Sequence, residues 1–158
     1  MQAKDVMTES VVSVSADSSL ADVLRLFVEE GIHGAPVVDD AERIVGSVSS
    51  MDLLRAEDEE RDTAWATSDY LREFVEFSSP DWSGDLSDFQ NRLAQRKVSD
   101  VMTPHAVTVS RTAGIDEVAR CLREHRVHRV WVADGDRLFG VISALDLMPV
   151  LEKLAASS

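Results

Sequence analysis

The sequence has a single cysteine, Cys121, so no disulfide can close within the chain. No group of Cys and His residues has the spacing of a metal site. Cys121 falls in an apolar helical pattern and reads as a core residue in a chain that works in a reducing compartment. No apolar run approaches the roughly 18 residues that a membrane-spanning helix needs, and MQAKDVMTES lacks the apolar stretch of a secretory leader. The expected location is therefore cytoplasmic, with no membrane partner. Basic charge is also scarce: 16 Lys and Arg stand against 29 Asp and Glu, for a net charge of −13. That balance argues against a broad nucleic-acid footprint or an anionic membrane surface, both of which want basic patches. It leaves room for one small anionic ligand in a locally positive pocket. Catalytic signatures are missing as well. There is no serine-centred elbow, no HExxH, no P-loop and no GxGxxG. The nearest thing to a nucleophile and base is Cys121 with His125, four apart on a helix, a spacing that gives proximity only. No enzyme activity is expected.

What is present is a core and a repetition. Apolar residues make up 44% of 158, enough for one medium domain or two small halves. Residues 5–53 lie over 100–147. DVMTESVVSV meets DVMTPHAVTV at an offset of 95, and Val23, Phe27, Ile32, His33, Val37 and Asp39 fall on Val118, Leu122, Val127, His128, Val132 and Asp134. One residue is then lost. At an offset of 94, Ile44, Gly46, Ser49 and Asp52 meet Leu138, Gly140, Ser143 and Asp146. Register kept over this length is internal duplication.

Each copy spells β-α-β-β-α, an α+β (α/β-like) unit. An extended piece (SVVSV or HAVTV) leads to a polar turn, with Asp17 or Thr112 as candidate helix cap. An apolar stripe follows: Leu20, Val23, Leu24, Phe27 and Val28 in one copy, Ile115, Val118, Ala119 and Leu122 in the other. Two strands joined by a tight turn come next, with Gly135 supplying the left-handed backbone in the second copy. A final helix starts near MDLL or LDLM, where Pro149 suits the first turn. One copy alone is marginal in size, and two can bury each other's apolar face. The domain reading is 1–56 and 98–158 as repeats, with 57–97 as an insert. The segment between the copies holds six of the nine aromatics, Trp65, Tyr70, Phe74, Phe77, Trp82 and Phe89. These rings are expected to pack on the repeats or on a partner chain.

The chemistry concentrates in one repeated phrase, GSVSSMDL and GVISALDL. Ser49 with Asp52, and Ser143 with Asp146, straddle a strand end and a helix start. They can cap the helix. They can equally meet a ligand, the helix N-terminus facing phosphate and the carboxylate accepting from ribose hydroxyls. The two roles are compatible. Near the central strand starts stand His33, Arg126, His128 and Arg129, of which Arg129 has the forked geometry that holds phosphate.

These motifs (VMT at the head, HGAPVVD in the middle, GSVSSMDL at the end) resemble the cystathionine-β-synthase (CBS) domain, and two in one chain resemble a CBS pair, or Bateman module, standing alone. The resemblance implies two repeats packed through a pseudo-twofold axis, with clefts that take AMP, ADP, ATP or S-adenosylmethionine, and no required cofactor. It implies a sensor that forms a homodimer and regulates a partner protein of unknown identity. Carried over residue by residue, it makes Asp52 and Asp146 ribose acceptors and Ser49 and Ser143 phosphate or ribose contacts. It places Thr8, Val12, Thr103, Ala106 and Val107 along the clefts, with His33, Ala35, His128 and Arg129 at the strand starts. The basic position is Arg129 in copy two but Gly34 in copy one, so the clefts are expected to be unequal, the one around GVISALDL the tighter. A module that has lost its ligand and serves only protein docking is the competing expectation.

Overall fold

The computed structural model describes residues 1–60 and 91–157. The aromatic residues of the insert, Trp65 to Phe89, lie outside them. The described chain is mixed α+β. A short 3-10 turn at Ala3–Asp5 precedes β1 (Val14–Ser15), α1 (Leu20–Glu30), β2 (Gly34–Val38), β3 (Ile44–Ser49) and α2 (Ser50–Glu60). The second copy follows as α3 (Val98–Val101), β4 (Thr103–Pro104), β5 (Thr108–Val109), α4 (Ile115–His125), β6 (Arg129–Asp134) and β7 (Arg137–Ser143). A 3-10 turn at Ala144–Leu147 then leads into α5 (Met148–Ala156). One sheet runs β1-β2-β3-β4 and the other β5-β6-β7.

The compact units are not the sequence repeats. One unit joins Met1–Ser13, Val38–Gly46 and Pro104–Ser158, and the other joins Val14–Val37 and Ser47–Thr103. Each therefore takes its leader from one copy and most of its body from the other. In the first unit, Ala3 N–H donates to the Ala113 carbonyl (2.8 Å) and Lys4 N–H to that of Arg111 (3.0 Å). In the second, Val98 N–H donates to Ser18 (2.9 Å) and Ser99 N–H to Ala16 (3.0 Å). These bonds are the same pair at the repeat offset of 95, made by the opposite leader. Thr8 bridges to Val141 on β7, as its counterpart Thr103 in β4 lies beside β3.

In the first unit the core gathers Ala3, Val109, Val118, Leu122, Val130, Val132, Ile142 and Leu147, with Cys121 half-buried at its margin. Burial raises the Cys121 thiol pKa, and the charges of Glu117 and Glu124 add to the rise. In the second unit Leu20, Val23, Phe27, Val37, Val48, Leu53 and Val98 are buried. Full burial of such a side chain is worth about 1.5–3 kcal/mol.

Several local expectations change. The cap of α1 is Ser19, whose Oγ accepts from Asp22 N–H at 3.1 Å; Asp17 lies two residues earlier and donates its own N–H to Ser15 Oγ. At α4 the cap position is Gly114, and Thr112 belongs to the preceding turn, where its N–H donates to Ser110 Oγ. In both copies the carbonyls taken by the opposite leader extend the turn before the helix starts. Val28 and Ala119 point to solvent. The β6–β7 turn matches its expectation, Asp134 pairing with Arg137 around Gly135 at φ +64°. In copy one, Asp39 closes the corresponding turn by accepting from the N–H groups of Ala41 and Arg43 and from the Arg43 guanidinium.

Candidate functional site

The repeated phrase forms the same local structure twice, once in each unit. In copy two β7 ends at Ser143 and the chain turns at once into the 144–147 helical turn. Both the N–H and the hydroxyl of Ser143 donate to Asp146 Oδ2, at 2.6 and 2.7 Å. In copy one the Ser49 N–H and hydroxyl donate to Asp52 Oδ2 at 2.8 and 3.0 Å, and Asp52 N–H returns a bond to Ser49 Oγ at 3.3 Å. The capping role is therefore met, and it consumes one carboxylate oxygen per site.

The second oxygen differs between the copies. Asp52 Oδ1 has Arg55 Nη1 at 3.9 Å. Arg55 is replaced by Pro149 at the repeat offset of 94, and Asp146 Oδ1 has no hydrogen bond or ion pair among the described residues. Asp146 also lines a cavity of about 360 Å³ with Asp5, Val6, Pro149, Val150 and Lys153. That volume falls in the range of small-molecule sites.

Other residues gather by unit. In the first, Thr8 exchanges two backbone hydrogen bonds with Val141, two residues before Ser143 (2.9 and 3.0 Å). Gly140 permits this approach, since a Cβ there would stand 2.8 Å from the Thr8 carbonyl oxygen and 2.8 Å from Met7 Sδ. Arg129 lies directly across the antiparallel ladder from Ser143. The His128 carbonyl accepts from Ala144 N–H at 3.0 Å, tying the start of β6 to the start of the helical turn. Val107 packs against the core, its carbonyl accepting from Trp131 N–H, and Val12 and Ala106 are half-buried.

In the second unit, the His33 carbonyl accepts from Ser50 N–H at 2.9 Å. That bond is the equivalent tie, made by the residue that follows Ser49. Thr103 is exposed in β4. Ala35 is wholly buried, so its side chain serves the core. Arg126 caps α4 in a left-handed conformation and is exposed. The sequence reading missed Asp5 and Lys153; only the fold carries a leader residue and the far turn of α5 to the same cavity.

Among the described residues no three His, Cys, Asp or Glu side chains are placed to hold a metal, and no helix is long and apolar enough to cross a membrane. His125 Nδ1 lies 3.0 Å from the Cys121 carbonyl and 3.7 Å from Cys121 Sγ. A carbonyl only accepts, so this nitrogen carries the hydrogen and cannot serve the thiol as a base.

Comparison with known proteins agrees with the duplication. The family model for the CBS domain matches residues 3–59 and 98–153. The chain is 28% identical over 143 residues to the chloroplastic CBS domain-containing protein CBSX2 of Arabidopsis thaliana, covering 82% of this chain and 54% of that protein. It thus spans about half the length of that plant relative. It is also 28% identical over 155 residues to an uncharacterised protein of Methanocaldococcus jannaschii, covering 96% of this chain and 91% of that one. The crystal structure of CBSX2 superposes with a TM-score of 0.72 at 25% identity, over 99% of this chain and 98% of that one. A second structure of CBSX2, in complex with AMP, gives 0.69 at 25% identity over 98% of each chain.

Proposed function

The chain belongs to the CBS domain family, and from that premise we propose that it is a non-catalytic sensor of adenosine-containing ligands that regulates a partner protein. The observation that carries this reading is the Asp146 carboxylate. One oxygen is fixed by Ser143, and the other is unengaged among the described residues, beside a cavity of ligand size. A carboxylate held in this way is oriented to accept from the vicinal hydroxyls of a ribose. Binding of AMP by the similar CBSX2 supports the ligand class, with ADP, ATP and S-adenosylmethionine as further candidates. Thr8 and Arg129 stand on either side of the same β7 end, and Asp52 with Ser49 and Thr103 forms a second seat.

Control works by population shift: a ligand changes the partner only by its difference in affinity for two arrangements of the chain. The protein acts as a homodimer, a reading supported by the apolar side of α5 and the turn before it. Leu145, Leu151 and Leu154 there are 77%, 55% and 61% exposed, and no residue of α5 is buried. A reducing, cytoplasmic setting fits the single thiol. The same apolar surface favours a second reading, a docking module that needs no ligand. Calorimetric titration of the full chain with AMP, ATP and S-adenosylmethionine separates the two. Saturable binding of any of them supports the sensor, and no heat from any at millimolar concentration leaves the docking module.

A further inference from the structure

We infer that Arg111 and Arg137, held on the ring of Phe139, form a second binding site on this chain, an oxyanion site for a phosphate group, separate from the adenosine seat. The sensor function neither requires this site nor supplies it.

A bulge builds the site. In the β6–β7 ladder Val132 pairs with Gly140 and Ala133 with Leu138, so Phe139 is the extra residue between them. A bulge re-aims the side chain it carries. The half-buried ring receives two guanidiniums, Arg111 Cζ at 4.4 Å from its centre and Arg137 Cζ at 5.0 Å. The two Cζ atoms are therefore no further apart than twice the longer distance. One oxyanion bridges such a gap with charge-assisted bonds of about 2.8 Å from each side.

Both cations lack an anion. Arg111 Nε–H is buried without an acceptor, and among the described residues neither guanidinium has a hydrogen bond or an ion pair. The ring face attracts each cation but leaves its N–H groups without an acceptor. With Nε turned inward, the Nη end of Arg111 is the part offered to a ligand. The neighbouring acids are engaged elsewhere. Asp134 accepts from the Ser110 hydroxyl at 3.0 Å and from the Arg111 backbone N–H at 3.3 Å, and Asp136 faces Arg43 at 4.0 Å. Lys4 is exposed and donates its N–H to the Arg111 carbonyl, so the leader of copy one fixes the loop that carries Arg111.

Copy one has no such site. It carries Ala16, Arg43 and Val45 where copy two carries Arg111, Arg137 and Phe139. Asp39 pairs with Arg43 at 2.8 Å, whereas its counterpart Asp134 turns to the Ser110 loop and leaves Arg137 to the ring. Two forked guanidiniums offer more donors than the two oxygens of a carboxylate can meet, and a phosphate group presents three. Phe139 stands four residues before Ser143, about 13 Å along β7 at the rise of a strand and toward its hairpin end. A phosphate held there is not part of a ligand seated on the Ser143–Asp146 junction.

The test is titration of the full chain with inorganic phosphate, followed by NMR at the backbone amides of Arg111, Arg137 and Phe139 and at the Arg111 Nε–H. Chloride and acetate at matched ionic strength are the comparison. Phosphate is expected to give shifts that saturate at millimolar concentration, and the other two ions none that saturate. Arg111→Gln and Arg137→Gln should each weaken phosphate by about tenfold. Arg111→Lys keeps the charge without the fork and should recover only part of that loss. Arg120→Gln, on the exposed side of α4, removes the same charge and should leave the affinity unchanged. The parent titration decides the matter even where a variant fails to fold. No saturation by phosphate at tens of millimolar overturns the inference, as does acetate binding as tightly as phosphate. Shifts centred on Ser143 and Ala144, or equal weakening in Arg120→Gln, overturn it too. Each of these outcomes leaves the adenosine reading standing, because that reading is tested with adenosine ligands.

Discussion

Thr8 and Val141 exchange both of their backbone hydrogen bonds, at 2.9 and 3.0 Å, so the leader of the first repeat completes the sheet of the second. Gly140 makes that exchange possible. Gly140→Ala would place a methyl 2.8 Å from the Thr8 carbonyl oxygen, a backbone atom that cannot rotate away. The expected cost is about 1–3 kcal/mol in denaturant unfolding, the range for overpacking. Hydrogen exchange at the Thr8 amide should quicken. Unchanged stability and unchanged exchange would mean that the leader is not held there.

Arg126 offers the opposite sign. Helix α1 ends on Gly31 at φ +63°, while α4 ends on Arg126 at φ +53°, the same position at the repeat offset. A side chain strains that conformation and glycine does not. Arg126→Gly is expected to stabilise the protein by roughly 0.5–1 kcal/mol in thermal unfolding. A loss of adenosine affinity in this variant would make Arg126 a ligand contact, a role its exposed capping position argues against.

How much of this was legible in the sequence differs from element to element. The duplication, the Gly135 turn and the Ser–Asp pair at each strand–helix junction all follow from local patterns, and all are present. The exchange of leaders was not legible. An offset of 95 is the same whichever body DVMT joins, and only long-range hydrogen bonds decide it. Val28 and Ala119 fit the apolar stripe by helical spacing, yet both are exposed, each one step from a buried residue, Phe27 or Val118. One step along a helix turns a side chain by about 100°, enough to carry it out of the core. The pairing of Arg129 with Ser143 needed the strand register. Asp5 needed the exchange as well.

Asp39 gives a pH prediction. Hydrogen bonds from Arg43, its backbone N–H first, hold the Asp39 carboxyl below the ordinary aspartate range despite some opposing desolvation. A lowered folded pKa stabilises the fold above the unfolded value of about 3.9, and that contribution fades as pH falls through the folded value. Carboxyl NMR should place the Asp39 midpoint below about 3.9, and Arg43→Ala should raise it. A midpoint at or above the ordinary value would contradict the turn geometry.

Cys121 should be sluggish. Burial raises its thiol pKa, with Glu117 and Glu124 adding to the rise, so less thiolate is present near neutral pH. Alkylation at pH 8 is expected to run several-fold slower than for an unhindered cysteine peptide, and His125→Ala should leave the rate nearly unchanged. A fast reaction that depends on His125 would instead mark the pair as a reactive centre.

The seat itself is tested most directly by isothermal titration of the parent, Asp52→Asn, Asp146→Asn and the double variant with the tightest adenosine ligand. Asparagine preserves shape and removes the charge that accepts from ribose. Asp146→Asn is expected to lower affinity by about tenfold or more, Asp52→Asn to abolish any second, weaker site, and the double variant to bind nothing measurable. Undiminished binding in the double variant would contradict the account.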